Sequence, residues 1–281
     1  VYAEAEFGHR PRVAFFDIDG TIIGSSGTLS RPLISAIDAL RRKGVEIALA
    51  TGRPSFGARD VIEALAVKAP SMFFSGGLIS RPLQGETVWV SGVESSGVRK
   101  IIDFCSQQQL YVEWYTADRY YIEHENDLTI RHQRYLHVPP SVVPFSSLAS
   151  DQVCVKLVVV CRNGCQEALV RNFASTVPAV AVTVGVGGFD PDLRFVNITN
   201  PSAERGQVFD RLCALYRVQP EEVIAFGDAE ADIAFLSRAG WGTAVGNASS
   251  LVQQAARAVC PPVDRDGVAV AVAEILERVE W

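Results

Sequence analysis

Three apolar runs in this chain end alike. Val13-Ala14-Phe15-Phe16 leads into Asp17, Val45-Glu46-Ile47-Ala48-Leu49-Ala50 into Thr51-Gly52, and Val223-Ile224-Ala225-Phe226 into Gly227-Asp228. Short apolar runs closed by small polar residues read as buried strands. After the first run, Ser30 reads as a helix N-cap with Pro32 in the first turn. Leu33, Ile34, Ile37 and Leu40 form an apolar stripe, which Gly44 ends. Residues 13–51 therefore form a strand–helix–strand unit with a right-handed crossover. The C-terminal part repeats the pattern. A helix carrying Val208, Phe209, Leu212 and Leu215 precedes the strand to Asp228. A short helix with Ile233 and Leu236, a strand at Thr243–Val245 and a helix with Val272, Ile275, Leu276 and Val279 follow. This alternation predicts an α/β fold around a parallel sheet. Ligands of such sheets bind just beyond the carboxyl ends of the strands, so these three ends predict one crevice.

The middle of the chain has another texture. Strand-like runs fall at Thr87–Val90, Tyr111–Thr116, Tyr120–Glu123, Val153–Cys161 and Val180–Val184, with helix-like runs at about 95–109 and 165–176. The two tyrosine-rich runs, joined by Ala117-Asp118-Arg119, read as a hairpin, and Pro139–Ser150 reads as a loop. The expected organisation is a Rossmann-like parallel-sheet core, residues 1–83 and 190–281, interrupted by an α+β cap at 84–189. Gly185-Val186-Gly187-Gly188 is followed by Asp190-Pro191-Asp192 and not by a helix, so it reads as a hinge or hairpin turn.

The bulk properties narrow the function. The chain has 281 residues, 48% hydrophobic and 21% charged, with a formal net charge of −6. An acidic chain of ordinary globular composition argues against a general nucleic-acid surface. No apolar run reaches membrane-spanning length. The start, Val1–Arg12, carries Glu4, Glu6, Arg10 and Arg12 and no apolar signal core, although no initiator Met precedes it. The six cysteines (Cys105, Cys154, Cys161, Cys165, Cys213, Cys260) form no CxxC pair, which suits reduced core residues in a cytoplasmic protein. The four histidines lack ligand-like spacing; His132 and His137 could meet near a substrate, but read better as surface residues. Nothing in the sequence implies a protein partner.

Asp17 and Asp19 are one residue apart, so continued strand geometry would send both side chains to the same side. Such a pair suits covalent phosphate-ester cleavage, with one carboxylate as nucleophile and the other moving protons. Gly20 and Thr21 suit a sharp turn that exposes backbone N–H groups to phosphate oxygens. Asp228 and Asp232 bring two more carboxylates from a strand-to-helix junction. Clustered acids repel one another and an incoming phosphate, and a hard divalent cation such as Mg2+ relieves both problems. Thr51 offers a hydroxyl, and Gly52 permits close backbone approach.

In order and spacing these motifs resemble the haloacid dehalogenase-like superfamily, in its Cof-type (class IIB) sugar-phosphatase-like branch. The matching segments are Asp-x-Asp-Gly-Thr at 17–21, Thr-Gly-Arg at 51–53, Gly-Asp-x-Glu-x-Asp at 227–232, Val-Gly-Asn-Ala at 245–248 and Asp-Gly-Val-Ala at 266–269. The resemblance implies Asp17 as nucleophile and Asp19 as general acid/base, with Thr51, Gly52 and Arg205 binding phosphate. It implies magnesium held by Asp17, the Asp19 carbonyl and Asp228, with Asp232 orienting Asp228 or a metal-bound water. Arg53 and Asn247 become possible substrate contacts. In this branch the open face of the cap roofs the active site. Alternation along Tyr111–Thr116 would present Tyr111, Glu113 and Tyr115, which with Lys156 suit a sugar phosphate.

Three positions depart from the family pattern. Arg205 stands where Lys is usual, Ala231 where Asn is common, and Ser75-Gly76-Gly77 replaces Asn-Gly-Ala. Arg keeps the charge but differs from Lys in shape and donor geometry. The expected function is magnesium-dependent hydrolysis of a small phosphorylated metabolite. A phosphomutase of the phosphomannomutase type and a noncatalytic metabolite-binding or regulatory protein stay open as alternatives.

Overall fold

A computed structural model of the protein describes residues 9–148, 152–187 and 190–281. In chain order the elements begin with β1 (Val13–Phe16), α1 (Arg31–Arg42), β2 (Glu46–Leu49), α2 (Arg59–Ala64), β3 (Ser71–Phe73), β4 (Leu78–Arg81) and β5 (Glu86–Val90). Next come α3 (Ser95–Gln107), β6 (Tyr111–Tyr115), β7 (Tyr120–Ile122), α4 (Asp127–Leu136), β8 (Ser141–Val142), β9 (Lys156–Cys161), α5 (Gly164–Ala174), β10 (Ala181–Gly187) and β11 (Asp190–Thr199). The chain closes with α6 (Arg205–Tyr216), β12 (Val223–Gly227), α7 (Ile233–Leu236), β13 (Trp241–Val245), α8 (Ser250–Ala255), β14 (Ala258–Cys260) and α9 (Gly267–Arg278).

The chain divides into two units, one of residues 1–52, 59–88 and 204–281, the other of 53–58 and 89–203. The first is built on a parallel sheet in the order β14-β13-β12-β1-β2. Every residue of β1, β12 and β13 is buried, as a sheet covered on both faces requires. On one face, α1 lays Leu33, Ile37 and Leu40 inward and packs on α9. On the other, Phe15 meets Tyr216 and Phe235 edge-on at 5.8 and 5.5 Å between ring centroids. The α1 boundaries follow the sequence signals: Ser30 Oγ accepts the Leu33 N–H at 3.2 Å, and Gly44 takes φ +83° just past the end. Among the described residues no helix is long and apolar enough to cross a membrane.

The second unit holds a six-stranded sheet in the order β10-β11-β9-β6-β7-β8. Val112 joins a core with Val98, Ile101 and Cys105 of α3 and Val170 of α5. Phe104 and Phe173 stack beside it at 3.9 Å. The main segment of this unit, 89–203, starts and ends later than the expected 84–189 cap, and 53–58 joins it. At its C-terminal end the reason is β11, whose Arg194–Thr199 stretch pairs antiparallel with both β9 and β10 and so belongs to the inserted sheet. Within the Gly185–Gly188 segment, Gly185 and Gly187 lie inside β10, and the register shifts after Val186. Gly188, like Val1–Gly8, Ala149–Asp151 and Phe189, lies outside the described residues. The expected Pro139–Ser150 loop contains β8 and a short turn of 3-10 helix at Phe145–Ser147.

Candidate active site

Three neighbouring strands deliver the first functional groups. Phe16 of β1 sits opposite Phe226 of β12 and Leu49 of β2, so Asp17, Asp228 and Thr51 leave the same edge of the sheet. The Asp17 N–H donates to the Phe226 carbonyl at 3.0 Å, carrying the ladder one residue past β1. Beyond it the chain turns sharply. The Ile18 carbonyl accepts from the N–H groups of Thr21, Ile22 and Ile23 at 3.3, 3.0 and 2.9 Å, and Gly20 adopts φ +80°. Strand geometry therefore stops at Asp17. Asp17 is buried and Asp19 exposed, a different outcome from two carboxylates continuing one strand face.

The turn brings Thr21 back beneath the carboxylates. Its buried Oγ1 donates to Asp228 Oδ1 at 2.9 Å and lies 3.4 Å from Asp17 Oδ2. Asn247, just past β13, braces the other side. Its Nδ2 donates to the Gly20 carbonyl at 2.8 Å and lies 3.4 Å from Asp228 Oδ2, while its Oδ1 accepts the Val263 N–H at 2.9 Å. Both oxygens of Asp228 are thus fixed from separate loops.

Asp232 folds back toward β12. Its Oδ2 accepts the N–H groups of Asp228 and Ala229 at 3.2 and 3.0 Å, and its Oδ1 pairs with Arg205 Nη1. Gly227 permits this approach, since a β-carbon there would fall 2.5 Å from the Asp232 β-carbon. Arg205 opens α6, whose N-cap Glu204 accepts the Gly206 and Gln207 N–H groups at 2.7 and 2.9 Å. The Arg205 Nε is buried with no hydrogen-bond partner among the described residues. Its Nη2 lies 3.8 Å from where a Gly52 β-carbon would be.

Comparison with known proteins fits this geometry. The profile of the haloacid dehalogenase-like hydrolases matches residues 14–272. The chain belongs to that family. Phosphatase YwpJ of Bacillus subtilis is 24% identical over 280 residues, covering 90% of this chain and 95% of that protein. The chloroplastic endoribonuclease YBEY of Arabidopsis thaliana is 22% identical over 269 residues, 92% of this chain. The chain spans only 45% of that plant protein's length. Among solved structures, a haloacid dehalogenase-like hydrolase from Bacteroides thetaiotaomicron superimposes with a TM-score of 0.84 at 20% identity, over 95% of this chain and 100% of that one. The subclass IIB sugar phosphatase BT4131 gives 0.77 at 22% identity, over 94% and 98%.

In this hydrolase the carboxylates strain against one another. Burial holds the Asp17 carboxyl well above the usual carboxylate range. Asp232, Asp228 and Asp19 push the same way, and Arg205 offsets part of the effect. Asp228 is pushed up to about 6, first by burial and then by Asp232 and Asp19, against the lowering effect of the Thr21 hydroxyl. Oxygens of Asp17, Asp228 and Asp232 all lie within 4.8 Å of one another. Such a set of hard oxygen donors suits magnesium. Asp232, already bonded to two backbone N–H groups and Arg205, is better built to position Asp228 than to ligate.

The other expected contacts have specific surroundings. In the second unit the Arg53 guanidinium lies over the Tyr135 ring at 5.3 Å, and its Nη1 donates to the Gly57 carbonyl at 3.3 Å. Phe56 stacks on Tyr115 and Tyr120, each at 6.2 Å. The Tyr111/Glu113/Tyr115 face is consequently not open. Glu113 is fully buried, accepting the Tyr115 hydroxyl at 2.6 Å and lying 2.8 Å from His132 Nδ1. Tyr111 and Tyr115 are buried too, and Lys156, opposite Tyr115 in register, is half-buried. His132 is correspondingly a buried residue of α4 and not a surface one, whereas His137 is exposed. Sequence reasoning missed the Thr21 hydroxyl and the Glu113–His132 pair. The first had a signal in its spacing of four from Asp17; the second had none.

Proposed function

We propose that this hydrolase is a magnesium-dependent phosphatase that releases phosphate from a small phosphorylated metabolite, a sugar phosphate foremost. Asp17 attacks phosphorus as the bond to the leaving oxygen breaks, and Asp19 gives that oxygen its proton. Asp19 then takes a proton from water, which attacks the aspartyl phosphate, breaks its bond to Asp17 and frees phosphate. Thr51, Gly52 and Arg205 receive the phosphoryl oxygens. Asp17, the Asp19 carbonyl and Asp228 hold the magnesium, which neutralises the clustered charge and polarises the phosphoryl group.

The observation that carries this reading is the buried Nε of Arg205, which has no hydrogen-bond partner among the described residues, on a guanidinium whose charge acts on the Asp17 carboxyl. A buried donor without a partner is costly, and a phosphoryl oxygen is a ligand that satisfies it. The sugar-phosphate preference draws on the structural likeness to the sugar phosphatase BT4131. Six free cysteines, five of them buried, suit a reducing compartment such as the cytoplasm. The test is phosphate release over a panel of phosphorylated metabolites, with magnesium and with chelator, in parallel with a search for isomerised sugar phosphate. Magnesium-dependent free phosphate supports the phosphatase. Isomerised sugar phosphate without free phosphate would make it a phosphomutase.

A further inference from the structure

The end of β3 holds an unusual backbone. Phe74 and Ser75 adopt φ +53° and +56° in succession, and Gly76 follows at +113°. Residues other than glycine avoid the left-handed region, and adjacent examples persist only where the surroundings over-determine them. Here they do. The Phe74 ring is fully buried, and the Ser75 N–H donates to the Thr51 carbonyl at 3.1 Å. Thr51 is itself tied back through its own N–H to the Met72 carbonyl at 3.0 Å. The strained pair is thus locked to the end of β2, beside the expected phosphate-binding segment.

The consequence is where the Ser75 hydroxyl sits. A β-carbon on Gly52 would lie 3.2 Å from Ser75 Oγ and 3.8 Å from Arg205 Nη2. The missing side chain of Gly52 therefore leaves a small cradle, with a hydroxyl on one side and a guanidinium on the other. An anionic oxygen over Gly52 would meet both donors, one of them charged. Strained backbone concentrates at functional sites, and here it accompanies a hydroxyl set against Gly52, with Arg205 close by.

We infer that Ser75 is a further ligand of the transferring phosphoryl group, its hydroxyl donating to a nonbridging oxygen held over Gly52 beside Arg205. This rests on the phosphatase reading above and adds to it a residue from a fourth strand end. The Ser75 side chain thereby completes, with Thr51 and Arg205, a set of donors around the phosphoryl oxygens. No proton is transferred in this role.

The experiment uses the full chain with magnesium and compares Ser75→Ala, Ser75→Gly and Ser75→Asn with wild type. It reads the affinity for inorganic phosphate by calorimetry, kcat/KM for p-nitrophenyl phosphate, and the melting temperature. A lost hydrogen bond to a charged oxygen should weaken phosphate affinity and kcat/KM roughly ten- to a hundredfold in the Ala and Gly variants. The Gly variant, relieved of left-handed strain, should melt no lower than wild type, separating the loss from damage to the fold. Asn keeps a donor and tolerates this backbone, and should retain most of the affinity. Ala and Gly variants within about twofold of wild type in both measurements would overturn the inference and leave the phosphatase reading standing. A wild-type protein that neither binds phosphate nor releases it from any ester would overturn both.

Discussion

A β-carbon on Gly20 would lie 2.2 Å from Oδ2 of Asp228, well inside contact distance. Residues 208 positions apart in sequence are therefore pressed together by the turn that follows Asp17, and the turn needs a left-handed residue at that point. Gly20→Ala should both strain the backbone, at a cost of about 2 kcal/mol, and displace Asp228. Chemical denaturation should record the lost stability, and magnesium titration a weakened metal affinity. Unchanged magnesium affinity in a folded Ala variant would mean that Asp228 is not held by this contact.

Asp228 also gives the metal-free protein a pH signature. Its carboxyl is raised from the ordinary 3.8 to about 6, so the folded chain binds this proton more tightly than the unfolded one. Stability from this group is fully present below the unfolded value and is lost as pH rises through about 6. Asp228→Asn removes the charge. In chelator it should melt higher than wild type at neutral pH, with the difference shrinking toward pH 4. Melting curves across that range check the sign, and an Asn variant less stable than wild type at pH 7 would contradict it.

Arg205 and Asp232 form a nearly buried ion pair, their side chains 10% and 4% exposed. Arg205→Ala leaves Asp232 buried with its two backbone donors and no cation. Breaking a buried pair in this way costs about 3 kcal/mol. Arg205→Ala should lower stability by that order and kcat by at least about a hundredfold, as loss of an oxyanion donor does. Arg205→Lys keeps the charge and should recover most of both. A near-wild-type rate in the Ala variant would remove Arg205 from the phosphoryl site.

Part of this was legible in the chain because it is local. Apolar runs ending at Asp17, Thr51 and Asp228 mark buried strands whatever surrounds them, and Ser30 and Gly44 bracket α1 by their own side-chain and backbone chemistry. The inserted unit was less readable. Asp127–Leu136, rich in charged and polar residues, forms α4 because Leu128, His132 and Leu136 find a buried face. A boundary at 189 assigns Asp190–Thr199 to the core, and only the pairing of Arg194–Thr199 with β9 and β10 places it in the inserted sheet. Alternation along Tyr111–Tyr115 separates two faces correctly but cannot tell what covers each. The Tyr/Glu face proved to be packed by Phe56 and α4.

That packing makes its own prediction. Glu113 is buried against His132 and the Tyr115 hydroxyl, so Glu113→Ala takes a buried hydrogen-bond partner from two polar groups in the second unit. The loss should be about 2 kcal/mol of stability, read by denaturation followed through the tyrosines. An Ala variant as stable as wild type would show that the Glu113 carboxylate contributes nothing to folding and would return it to the list of substrate contacts.

Turnover should pass through a covalent phosphoryl group on Asp17. Wild-type protein with magnesium should be mixed rapidly with p-nitrophenyl phosphate, quenched in acid within a turnover, digested and sequenced by mass spectrometry. The phosphoryl group should appear on Asp17 as an acid-stable, hydroxylamine-labile acyl phosphate, and be absent from Asp17→Asn, which should not turn over. Phosphate release by Asp17→Asn at a rate comparable to wild type, or a phosphoryl group found on another residue, would contradict the account.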